Sequence, residues 1–83
     1  RGERLMAGLR RVFPGREVRG RGLLVGVVLG RPPRDLVTAC LRQGAIVGSA
    51  GSDVLRLAPP LIITEAEVDD LVARIAAAAT TVA

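Results

Sequence analysis

Few side chains in this sequence could do chemistry, and Arg56 leads them. Residues 53–64 read D-V-L-R-L-A-P-P-L-I-I-T, so one permanently charged guanidinium interrupts a run that is otherwise apolar from Val54 to Ile63. Its planar fork of donors suits a carboxylate or phosphate bound through two hydrogen bonds at once. The other reactive side chain is the single cysteine, Cys40. It lies on the apolar side of a helical pattern with no base or metal partner nearby, so a core thiol is expected rather than a nucleophile. No histidine and no lysine occur among the 83 residues. Histidine-based triads and metal sites are thereby excluded, as are a Schiff base and a P-loop lysine. No residue of this chain is expected to be catalytic, to hold a cofactor or to bind a metal.

Strand geometry decides what Arg56 can reach. Side chains alternate between the two faces of a strand, so Leu55 and Leu57 point one way while Arg56 and Ala58 point the other. With the leucines in a helix-covered core, Arg56 stands on the opposite face beside a small alanine. Pro59-Pro60 gives the chain an extended exit and ends further pairing. The pattern leaves two readings open. One is a surface arginine, solvated or paired with a carboxylate such as Asp53. The other is an anion-binding arginine, whose charge at a partly desolvated site calls for a bound partner.

The elements that must position Arg56 follow from periodicity. Residues 3–13 place Leu5, Leu9, Val12 and Phe13 on one helical face, and Pro14-Gly15 ends the helix. Residues 18–29 are strand-like through Val18, Leu23, Val25, Val27 and Val28, with Gly20, Gly22 and Gly26 marking a bend, a bulge or a close backbone approach. The glycine spacing fails the dinucleotide-binding fingerprint. After the turn at 30–33, residues 34–43 pair Leu36 with Cys40 and Val37 with Leu41 on a second helix, which Gly44 closes in a left-handed cap. A short strand is expected at 45–47, a loop at 48–53 and a strand at 54–58. The last helix opens on a capping box, Thr64 with Glu67, and buries Val68, Leu71, Val72 and Ile75. Glu65, Glu67, Asp69 and Asp70 crowd its first turns, where the helix dipole favours negative charge, and Asp70 faces Arg74 one turn on. The order helix, strand, helix, strand, strand, helix implies an α+β fold: one small, mostly antiparallel sheet covered on one face by helices.

Composition sets the remaining bounds. Almost half the residues are hydrophobic (49%), enough for a packed domain, and 83 residues make one domain. No apolar stretch is long enough to span a bilayer, so no membrane association is expected. The net charge of +4 is uneven, since residues 1–21 hold seven arginines against Glu3 and Glu17. A stand-alone module for anions or nucleic acid is one reading of that asymmetry. The lone aromatic residue, Phe13, and the lack of a nucleic-acid-binding motif weigh against it. Another reading is a structural or oligomerisation domain, with the uncovered sheet face as its interface.

Three stretches carry a resemblance over essentially the whole chain: V-R-G-R-G-L-L-V-G-V-V-L at 18–29, A-C-L-R-Q-G-A-I-V at 39–47 and V-L-R-L-A-P-P-L-I-I-T at 54–64. Together they resemble the C-terminal segment of class III aminotransferases, pyridoxal-phosphate enzymes of fold type I. The last stretch, with its acidic helix, is most similar to the acetylornithine branch. The ornithine, succinylornithine and 4-aminobutyrate branches are the alternatives. The resemblance implies a C-terminal small domain, residues 1–83, following a large domain that binds pyridoxal 5'-phosphate and carries the Schiff-base lysine. It implies that Arg56 binds the carboxylate of a small amino-acid or 2-oxo-acid substrate, and that the full-length enzyme is a cytoplasmic homodimer of arginine biosynthesis. Gly20, Gly22 and Gly26 match a structural signature of the family.

Overall fold

Seven elements alternate along the chain in a computed structural model that describes residues 2–21, 24–60 and 62–82. They are α1 (Gly2–Val12), β1 (Glu17–Arg21), β2 (Leu24–Val28), α2 (Arg34–Arg42), β3 (Gly48–Ala50), β4 (Val54–Leu57) and α3 (Glu65–Ala79). The strands form one sheet in the order β1-β2-β4-β3, with every neighbouring pair antiparallel. Alternation sorts the two faces. Val18, Val25, Val27, Leu55 and Leu57 are buried beneath the helices, while Glu17, Arg19, Leu24 and Arg56 are exposed on the other side. The expected α+β layer, helices on one face only, is what forms.

Packing explains each helix. Leu5 and Leu9 of α1, Leu36, Ala39 and Cys40 of α2, and Val68, Ile75 and Ala78 of α3 meet the inner sheet residues in one core. Cys40 is fully buried, and desolvation pushes its thiol above the ordinary value, which keeps it neutral and unreactive. At the start of α3 the Thr64 side chain accepts from the Glu67 N–H at 3.1 Å, and the Thr64 N–H donates to Glu67 Oε1 at 2.9 Å, completing the capping box. Gly44 takes φ +82°, the left-handed position that closes α2.

Three expectations are corrected. The strand-like run at 18–29 is two strands, β1 and β2, paired as a hairpin in which Arg21 faces Leu24. Gly22 and Leu23, which belong to that run, lie outside the described residues. The strand expected at 45–47 sits three residues later, at Gly48–Ala50. The reason is local: the Ala45 N–H donates to the Cys40 carbonyl at 2.8 Å, so the backbone there finishes α2 and is not free to pair. Leu41 does not join the apolar face of α2 but is 62% exposed.

One contact joins the two ends of the chain. Arg4 donates from Nε and Nη2 to the two carboxylate oxygens of Asp69, both at 2.8 Å, tying α1 to α3. The bidentate pair holds the Asp69 carboxyl below its ordinary value, and the Thr64 N–H and hydroxyl do the same for Glu67. A carboxylate depressed in the folded state adds stability above its unfolded value, about 3.9 for Asp, and loses it as pH falls through the folded value. Urea titrations of the chain and its Asp69→Asn variant should therefore differ at neutral pH and converge below about pH 4. A gap that persists undiminished in acid would contradict the assignment.

Among the described residues, four large apolar side chains are left outside: Leu24 at 49%, Leu41 at 62%, Ile46 at 86% and Ile62 at 87% exposure. Ile46 borders a hollow of about 520 Å³ that Leu57, Pro59, Pro60, Ile63 and Leu71 also line. Exposed apolar surface of this kind favours association. Sedimentation of the 83-residue chain should show concentration-dependent self-association, reduced in an Ile46→Ser/Ile62→Ser variant. A clean monomer at high concentration would overturn this.

Candidate carboxylate-binding site

Of the two inner strands, β2 reads LVGVV and β4 reads VLRL, so Arg56 is the one charged residue in the middle of the sheet. Leu55 and Leu57 on either side of it are 0% and 1% exposed, which anchors the backbone under the guanidinium. Arg56 itself is exposed on the helix-free face. Its partners in register are Gly26 on β2 and Gly48 on β3. Both cross-strand neighbours therefore lack a side chain. Leu24, Gly26, Ala50, Val54 and Arg56 line a shallow hollow of about 230 Å³ there.

The surrounding charges separate Arg56 from the other arginine in its row. Arg19 of β1 lies across Gly26 in the same register line, but its Nε is held by Glu17 at 2.8 Å. Arg74 is held by Asp70 at 2.8 Å and also donates to the Gln43 carbonyl at 2.8 Å, fastening α3 to the end of α2. Arg56 makes no hydrogen bond or ion pair with any described residue, Asp53 included. Among the described residues, the paired form of the surface reading is thus not what forms. What remains is an exposed guanidinium on an inner strand, either solvated or open to an anion. Among the described residues, no group of three or more His, Cys, Asp or Glu side chains could hold a metal ion.

Residues 2–79 match the class III aminotransferase family. The chain belongs to the class III aminotransferases. Its curated relatives include the acetylornithine aminotransferase of Corynebacterium efficiens, 42% identical over 78 residues that make 93% of this chain and 19% of that protein. The acetylornithine aminotransferase of Mycobacterium tuberculosis is 49% identical over 61 residues, 72% of this chain and 15% of that protein. Among solved structures, the N-acetylornithine aminotransferase of Stenotrophomonas maltophilia superposes with a TM-score of 0.84 at 35% identity, covering 96% of this chain and 24% of that one. The ornithine aminotransferase of Toxoplasma gondii superposes at 0.85 with 32% identity, covering 98% and 21%; that structure has pyridoxal phosphate partly occupying its active site. The chain thus spans between a seventh and a quarter of the length of these aminotransferases.

The cofactor such aminotransferases imply does not fit the residues present. No lysine exists here to bind it covalently. Gly48 was not foreseen as part of the site. By its sequence it opens the loop expected at 48–53, and its place beside Arg56 follows from the pairing of β3 with β4.

Proposed function

We propose that this chain is the C-terminal small domain of a pyridoxal-phosphate transaminase that moves the amino group of N-acetylornithine to 2-oxoglutarate, as in arginine biosynthesis. In that enzyme Arg56 binds and orients the substrate carboxylate. The observation that carries the reading is the placement of Arg56: an unpaired guanidinium on an inner strand, held by buried neighbours and flanked by two glycines. The bond-making chemistry belongs to residues and a cofactor beyond this chain. Its partners are a large cofactor-binding domain, small amino-acid and 2-oxo-acid substrates, and a second subunit in a cytoplasmic homodimer. A donor of the ornithine type is the second reading, favoured by the equally close superposition on the Toxoplasma gondii ornithine aminotransferase. A stand-alone nucleic-acid module is disfavoured because two arginines of the basic N-terminal segment, Arg4 and Arg19, are already paired with carboxylates. The test is exchange of Arg56 in the full-length protein, with each half-reaction followed separately.

A further inference from the structure

Gly48 has no role in the fold that requires a glycine. Its φ is not positive, so no left-handed backbone demands it. A Cβ built on it meets no described residue within 4 Å, so no close packing among these demands it either. In a strand, glycine forfeits backbone entropy and side-chain packing. Gly26, the other neighbour of Arg56, differs: a Cβ there would come within 3.1 Å of Val54 Cγ1, so packing alone accounts for it. A strand glycine with no structural reason, directly opposite the proposed ligand-binding side chain, marks a place where something outside the chain comes close.

We infer that Gly48 is a specificity-determining residue: its missing side chain leaves room beside Arg56 for substituents on the carbon that bears the bound carboxylate. The inference rests on the reading of Arg56 as the carboxylate partner. Directly opposed residues of an antiparallel pair have Cβ atoms about 4.5–5.5 Å apart, so a side chain at 48 stands against the flank of the guanidinium. A carboxylate following a CH₂ group is slim enough to pass it. One following a fully substituted carbon is not. The backbone of Arg56 need not move, because the Cβ of the new side chain meets no described atom within 4 Å.

The experiment uses two competitive inhibitors of amino transfer in the full-length enzyme, valerate and 2,2-dimethylvalerate, against the unaltered protein, Gly48→Val, Arg56→Ala and the double variant. Gly48→Val should weaken the branched acid about tenfold more than the straight one, the scale on which pockets discriminate small apolar groups. Valerate inhibition serves as the internal control for folding. In the Arg56→Ala background the discrimination should vanish, because the two positions act on one ligand group. If Arg56→Ala weakens both inhibitors but Gly48→Val leaves their ratio unchanged, the inference about Gly48 fails while the reading of Arg56 stands. If Arg56→Ala changes neither, the reading of Arg56 fails and takes the inference with it.

Discussion

Arg56→Ala in the full-length enzyme should raise KM for carboxylate substrates and lower kcat/KM by about 30-fold to several thousand-fold. Truncating one side of a desolvated, hydrogen-bonded charge pair costs about 2–5 kcal/mol, and each 1.36 kcal/mol is tenfold in rate. Arg56→Lys should recover only part of the loss, because an ammonium keeps the charge but not the planar fork. The fold should not respond. Arg56 is exposed, its backbone is held by Leu55 and Leu57, and it makes no contact with another described side chain through hydrogen bond or ion pair. Circular dichroism and cofactor loading of the variants should therefore match the unaltered enzyme while the kinetics diverge. Both half-reactions should suffer, since donor and acceptor of the proposed reaction each present a carboxylate. A KM effect confined to one of them would narrow Arg56 to that substrate, and unchanged kinetics in both would remove the role.

What could be anticipated about this site came from local geometry. Alternation along β4 is enough to put Arg56 on the face opposite Leu55 and Leu57, and the capping box at Thr64 and Glu67 needs only four consecutive residues. What could not be anticipated came from partners distant in the chain. The register that sets Gly48 and Gly26 against Arg56 exists only once β4 inserts between β2 and β3. Likewise, β3 begins three residues later than propensity suggests because the Ala45 N–H is taken by the end of α2. Leu41 follows Cys40 by about 100° around the helix, enough to carry it off a contact face centred on Leu36, Ala39 and Cys40. Whether an arginine in an apolar run is solvated, paired within the chain or available is also a tertiary question. The fold answers the pairing part of it: no described residue is a carboxylate partner of Arg56.

Gly8→Val should be the most destabilising small substitution on the helical side. Gly8 is a buried glycine in the middle of α1, where glycine costs about 1 kcal/mol relative to alanine. Periodicity ignores it, since a hydrogen has no hydropathy to place. The structure supplies its reason: a Cβ at position 8 would stand 2.8 Å from Val72 Cγ2 and 3.0 Å from Cγ1. Valine in a helix is confined almost to one rotamer, so Val72 cannot turn away, and α1 and α3 would have to separate. Separation would also strain the Arg4–Asp69 bridge one turn away on the same seam. Overpacking of this kind costs about 1–3 kcal/mol, occasionally more, against a total stability of roughly 4–12 kcal/mol for a chain of this size. Gly8→Ala brings the same Cβ against Val72 and forces part of this separation, offset by a gain in helix propensity, so it should destabilise less than valine does. Combining Gly8→Val with Val72→Ala should restore much of the loss, because the clash needs both side chains. Urea midpoints at constant slope, taken where the chain is monomeric, would measure all three. An unchanged midpoint for Gly8→Val would mean that the spacing of α1 and α3 is set elsewhere than at this contact. A lowered midpoint without rescue by Val72→Ala would place the cost in the helix itself and not in the seam.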